Sequence, residues 1–149
     1  MMRKIIIILF GLTFYKTNAD NNIIKPIIID YDILFYLAIA KIESNYNYNA
    51  FNINENANGI LQIRPIALRC VNEYYKTKYT IEDCYTYRAF EIMKLYLERW
   101  GKDLSYYDKA RIWNGGAFGY KKESTKKYAN KVINEMQNIH KELIRYYYK

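Results

Sequence analysis

The residue best placed for acid–base chemistry in this chain is Glu43. It stands where an apolar helical run, Ile33 to Ile42, gives way to an asparagine-rich segment. A carboxyl half-buried at such a boundary keeps its proton, because desolvation disfavours the charged form. A group of that kind donates a proton near neutral pH. Cys70 and Cys84 are the other reactive pair, and they enclose 15 residues. The single histidine, His140, falls in a polar stretch of a late helical segment, so no cysteine–histidine nucleophile is expected. Two cysteines and one histidine also fall short of a four-ligand zinc site.

Helices must position these groups, because the apolar periodicity is helical and hardly ever alternating. Asp30 or Asp32 can cap a first helix running to about Ser44, with Leu34, Leu37, Ala38 and Lys41 on one side. Pro65 suits the first turn of a second helix to about Tyr75. Residues 84–100 form a third, with Phe90, Met93, Leu97 and Trp100 along one stripe and Gly101 as its stop. Ser105 followed by Asp108 opens a short fourth helix through Trp113. The last runs from about Thr125 to Tyr147, with Tyr128, Val132, Met136, Ile139 and Leu143 as its apolar stripe.

Two polar segments interrupt the helices. Residues 45–58 hold seven asparagines and no proline, which predicts a loop or a short β-ribbon. Asn114-Gly115-Gly116 to Gly119 is the second loop. No internal repeat or second domain is visible.

The whole chain has 149 residues, enough for one domain. Its hydrophobic fraction of 51% can bury a core, which excludes a disordered tail. No apolar run reaches the roughly 20 residues of a bilayer span. The 18 tyrosines, with abundant asparagine, lysine and isoleucine, read first as the mark of an AT-rich coding sequence.

Residues 1–19 read as a secretory signal. Arg3 and Lys4 form a basic start, Ile5 to Tyr15 an apolar stretch, and Thr17-Asn18-Ala19 a cleavage site. The formal charge is +8; removing Arg3, Lys4 and Lys16 with the signal leaves 20 basic and 15 acidic residues, a charge of +5. Such a protein is drawn to anionic polymers. It is expected outside the cytoplasm, in a periplasm or at the cell wall, with no stable membrane span once the signal is cleaved. Export favours a Cys70–Cys84 disulfide, which would stabilise the fold by about 3 kcal/mol on the loop-entropy model; two buried thiols are the alternative.

Four motifs follow in order along residues 31–135: Glu43-Ser44, Gly59-Ile60-Leu61-Gln62-Ile63-Arg64-Pro65, Trp113-Asn114-Gly115-Gly116, and Tyr128-Ala129-Asn130-Lys131-Val132. This arrangement resembles the lytic transglycosylase domain related to goose-type lysozymes. The resemblance implies an all-α, lysozyme-like domain over residues 20–149, with a groove between helices and two long loops. It makes Glu43 the sole catalytic acid/base, Gln62 a groove glutamine, Asn114 a loop residue facing substrate, and Ser44 a structural partner. It places the Tyr128 hydroxyl near the catalytic carboxyl and Asp83 at a helix cap. Trp113 stands where the family has tyrosine, so it suits stacking on a sugar or packing.

The implied reaction cuts the β-1,4 bond between N-acetylmuramic acid and N-acetylglucosamine. One glutamic acid protonates the leaving oxygen, then takes the proton of the muramyl C6 hydroxyl as a 1,6-anhydro ring closes. A hydrolase by the usual route needs two carboxyls, about 5–5.5 Å apart for retention or about 6.5–9.5 Å for inversion. Glu55 is the best second carboxylate, while Asp103 and Asp108 read as loop and cap residues. The anhydro-forming reaction is therefore preferred over a hydrolytic lysozyme or a silent wall-binding scaffold. No metal or organic cofactor is called for. The expected partners are peptidoglycan strands and a secretion, conjugation or pilus assembly. Nucleic acid is not expected, because no recognised binding motif accompanies the charge.

Overall fold

A computed structural model of the chain describes residues 29–147. The segment read as an export signal, residues 1–19, lies outside the described residues. From Tyr31 onward the described chain forms one all-α unit. Its helices are α1 (Tyr31–Ser44), α2 (Pro65–Tyr75), α3 (Arg88–Gly101), α4 (Tyr106–Gly115) and α5 (Lys126–Tyr147). A two-stranded ribbon, β1 (Phe51–Asn52) and β2 (Ala57–Asn58), lies between α1 and α2. Short 3₁₀ turns occupy Glu82–Tyr85, Gly119–Lys121 and Glu123–Thr125.

Helix α1 is central. Leu34, Phe35, Ala38, Ile39 and Ala40 are all buried, so apolar side chains surround the axis instead of forming one stripe, as in a helix enclosed by its neighbours. Lys41, expected on the buried side, is exposed. Helix α1 packs on α5, α4 packs on α5, and α3 receives α2 and α4. Of the expected α5 stripe, Val132 and Met136 are buried while Tyr128, Ile139 and Leu143 are half-buried; Ala129, outside that stripe, is buried too.

The local signals explain most of the boundaries. Pro65 opens α2, and Lys76 ends it in the left-handed conformation. Ser105 caps α4 by accepting from the Asp108 N–H. At the end of α1, Asn45 and Tyr46 both have positive φ, and the Tyr46 N–H returns to the Ala40 carbonyl, closing the helix with a left-handed cap. The third helix starts later than the pattern predicts. Residues 82–85 are 3₁₀, and Asp83 accepts from the Thr80 N–H and pairs with Arg88, so the acid organises a turn ahead of the helix.

The asparagines build the ribbon. Asn47 and Asn52 each accept from the N–H two residues on, the Asx-turn geometry. Phe51 pairs with Asn58 and Asn52 with Ala57. Asn58 is buried; its amide donates to the Asn56 carbonyl, and its oxygen accepts from the Tyr85 hydroxyl.

The expected disulfide is not formed. Cys70 and Cys84 are free thiols, the first half-buried and the second buried. Cys84 sits in the 3₁₀ turn with its Sγ directed to the Thr80 carbonyl at 3.9 Å, while Cys70 rides on α2. A short interval in sequence favours closure but does not by itself set the sulfur–sulfur geometry that a bridge requires. Burial pushes the Cys84 thiol up to about 11.

Candidate active site

Glu43 occupies the last turn of α1, one residue before Ser44 ends the helix. Ser44 is a brace. Its hydroxyl donates to the Ile60 carbonyl at 2.8 Å and accepts from the Asn47 N–H at 3.1 Å. The end of α1 is thereby tied to the Gly59–Gln62 turn, which agrees with a structural role.

That turn is a tight reversal. Asn58 and Ile63 bridge each other across it. Gln62 has φ of 52°, unusual for a side-chain-bearing residue and costly without surrounding support. The support is local: the Gln62 N–H and its side-chain amide both donate to the Gly59 carbonyl, at 3.1 and 2.9 Å. Gly59 has φ of +72°, and a Cβ there would stand 1.7 Å from the Cys84 carbonyl oxygen. Only glycine allows the turn to lie against the 3₁₀ segment.

The long-range contact comes from α5. The Tyr128 hydroxyl donates to Glu43 Oε1 at 2.5 Å, across 85 positions of sequence. Oε2 is left as the oxygen that can carry a transferable proton. Burial raises the Glu43 carboxyl from 4.5 to about 7; the Tyr128 bond and the Arg64 charge oppose the rise, and the Glu55 charge adds to it. The C-terminal end of a helix also disfavours a carboxylate. A carboxyl raised this far is suited to donate a proton near neutral pH and to take one back. Tyr128 is itself raised well above 10 by burial and by the neighbouring carboxylate, so it remains a donor.

Two side chains not singled out from the sequence belong here. Arg64 follows the turn and acts on Glu43, Tyr128 and Tyr96. Its Nε and Nη2 both donate to Glu55 Oε2, at 3.0 and 2.7 Å. Tyr96, buried on α3, carries Trp113 edge-on, with ring centroids 5.9 Å apart. Arg64 lies within the Gly59–Pro65 motif with no role attached to it there, and nothing in the spacing marked Tyr96.

The remaining expected residues are less closely assembled. Gln62, Trp113 and Asn114 form no hydrogen bond with Glu43 among the described residues. Trp113 is half-buried and packs on Tyr96. Asn114 lies in the last turn of α4, not in the loop expected for it, because the helix continues to Gly115. Arg111 secures the segment that follows, donating to Thr125 Oγ1 and the Lys122 carbonyl. Among the described residues no group of three His, Cys, Asp or Glu side chains could hold a metal ion, and no helix is long and apolar enough to cross a membrane.

The arrangement can protonate a leaving oxygen and then accept a proton through the same carboxyl. Comparison of the chain with protein-family models, with curated proteins and with solved structures finds no match.

Proposed function

We propose that this chain is a peptidoglycan lytic transglycosylase of lysozyme-like fold, acting on the wall after export. The observation that carries the reading is the half-buried Glu43 carboxyl, raised to about 7 and bonded by Tyr128 of α5. In the proposed reaction Glu43 protonates the oxygen leaving the muramyl C1. The resulting carboxylate takes the proton of the C6 hydroxyl as that oxygen closes on C1. A proton transfer of this sort contributes about 10²–10⁴-fold.

Glu55 was the candidate for a second carboxylate. Its side chain pairs with Arg64 at 2.7 Å and is half exposed, and a digest of the wall separates a one-carboxyl reaction from hydrolysis. Gln62, Trp113 and Asn114 are proposed to contact the glycan, and a secretion, conjugation or pilus assembly is the proposed setting.

The test is a digest of purified peptidoglycan by the protein and by E43Q, read by mass spectrometry. Anhydro-muropeptides, one water lighter than hydrolytic products, are expected from the first and not the second. Reducing-end products would replace the reading with a lysozyme. No products from either would replace it with a wall-binding role.

A further inference from the structure

Arg64 is the fixed positive charge of the candidate site. It stands at the N-cap of α2, just after the Gly59–Gln62 turn, and its charge opposes the upward shifts of Glu43, Tyr128 and Tyr96. What meets its side chain is Glu55, from the loop between β1 and β2. Both members of the pair are open to solvent, with 41% and 50% of their side chains exposed. An ion pair so exposed favours the closed arrangement by no more than about fivefold.

Its geometry is also incomplete. Arg64 places two donors on a single oxygen, Glu55 Oε2. A guanidinium has five N–H donors, and its strongest partner is a carboxylate approaching in plane with both oxygens. Glu55 thus occupies Arg64 without saturating it. A carboxylate arriving from outside could take the place of Glu55 on the guanidinium and use both of its oxygens.

We infer that Arg64 is a receptor for a substrate carboxylate, and that Glu55 fills it in the free protein. The inference rests on the peptidoglycan reading, which supplies the occupant: a free carboxylate on a peptide stem borne by the glycan strand. Arg64 would then select strands whose stems are acidic over strands whose stems are amidated. Arginine suits this task better than lysine, because its fork matches the two carboxylate oxygens.

The experiment uses defined glycan strands with free stem carboxylates and the same strands amidated. Cleavage by the protein, R64Q and E55Q gives a KM for each, and calorimetry with the two stem peptides gives binding apart from cleavage. The acidic strand is expected to have a KM about three- to fivefold lower than the amidated one. R64Q should erase that ratio, and E55Q should widen it by removing the internal competitor. Opposite effects of two surface substitutions would not arise from a merely structural pair. A ratio near one in the unaltered protein, or an unchanged ratio in R64Q, overturns the inference. Acid-selective binding of stem peptide that R64Q abolishes, with neither strand cleaved, would uphold Arg64 as receptor and remove the transglycosylase reading. Absence of both cleavage and acid-selective binding overturns both.

Discussion

Glu43 and Tyr128 define the chemistry at the scale of single residues, and they are opposed in effect. Burial holds the proton on Glu43, and the Tyr128 hydrogen bond favours its release. Substituting Y128F removes the bond and leaves the burial, so the Glu43 pKa rises further. In the proposed reaction the protonated carboxyl is the active form, and the alkaline limb of the pH–rate profile should move to higher pH. The rate should fall by up to about 100-fold as the carboxyl loses its orientation. A limb that stays in place or moves down would remove Tyr128 from this role. Stability carries the same signature. The folded pKa of about 7 exceeds the ordinary 4.5, so the folded state binds the proton more tightly than the unfolded one. That contribution is complete below about pH 4.5 and is lost as pH rises through 7. E43Q has no such loss. It should gain on the unaltered protein across this window, reaching about 3 kcal/mol at about pH 8. Urea unfolding at several pH values measures the difference, and a pH-independent offset would contradict the assignment.

At the scale of elements, the Gly59–Gln62 turn connects α1 to the 3₁₀ segment. Ser44 holds it from one side and the Cys84 carbonyl crowds it from the other. G59A would place a methyl group on that carbonyl and force a positive φ on alanine. The expected cost is about 3 kcal/mol or more, seen as a large fall in thermal unfolding temperature. Unfolding at the original temperature would mean that the turn and the 3₁₀ segment separate easily. The elements themselves were largely legible in sequence. Pro65, Ser105 and the α5 stripe act through their immediate neighbours, so helix starts and faces could be read locally. The start of α3 could not, because Asp83 is recruited by the Thr80 N–H and Arg88. Nor could the burial of α1 be read fully from one side, since Leu34, Phe35, Ala38, Ile39 and Ala40 are buried around much of the axis while Asp32 and Lys41 stay exposed.

For the whole molecule, the cysteines separate inference from spacing and inference from packing. A 15-residue interval promised a bridge, yet the chain folds with both thiols free. Two thiols should react with a thiol reagent after unfolding without reductant, and reductant should leave the unfolding temperature unchanged. Cys84 should react slowly in the folded protein, because burial holds it as the thiol. Recovery of fewer than two thiols, with a reductant-sensitive transition, would reinstate the bridge.

The all-α class, the apolar helix ending at Glu43 and the late helix carrying Tyr128 were readable from residue order alone. Periodicity, caps and prolines are local physics, repeated often enough along the chain to be recognised. The contact of Tyr128 with Glu43, expected from resemblance to a family, acquired its geometry in the fold. Arg64 with Glu55, Trp113 on Tyr96, and the free state of Cys70 and Cys84 had no local signal. Each depends on which side chains converge when helices pack. The proton affinity of Glu43 belongs with them: it is set by how much water the surrounding elements remove, a quantity that exists only after the chain has closed around it.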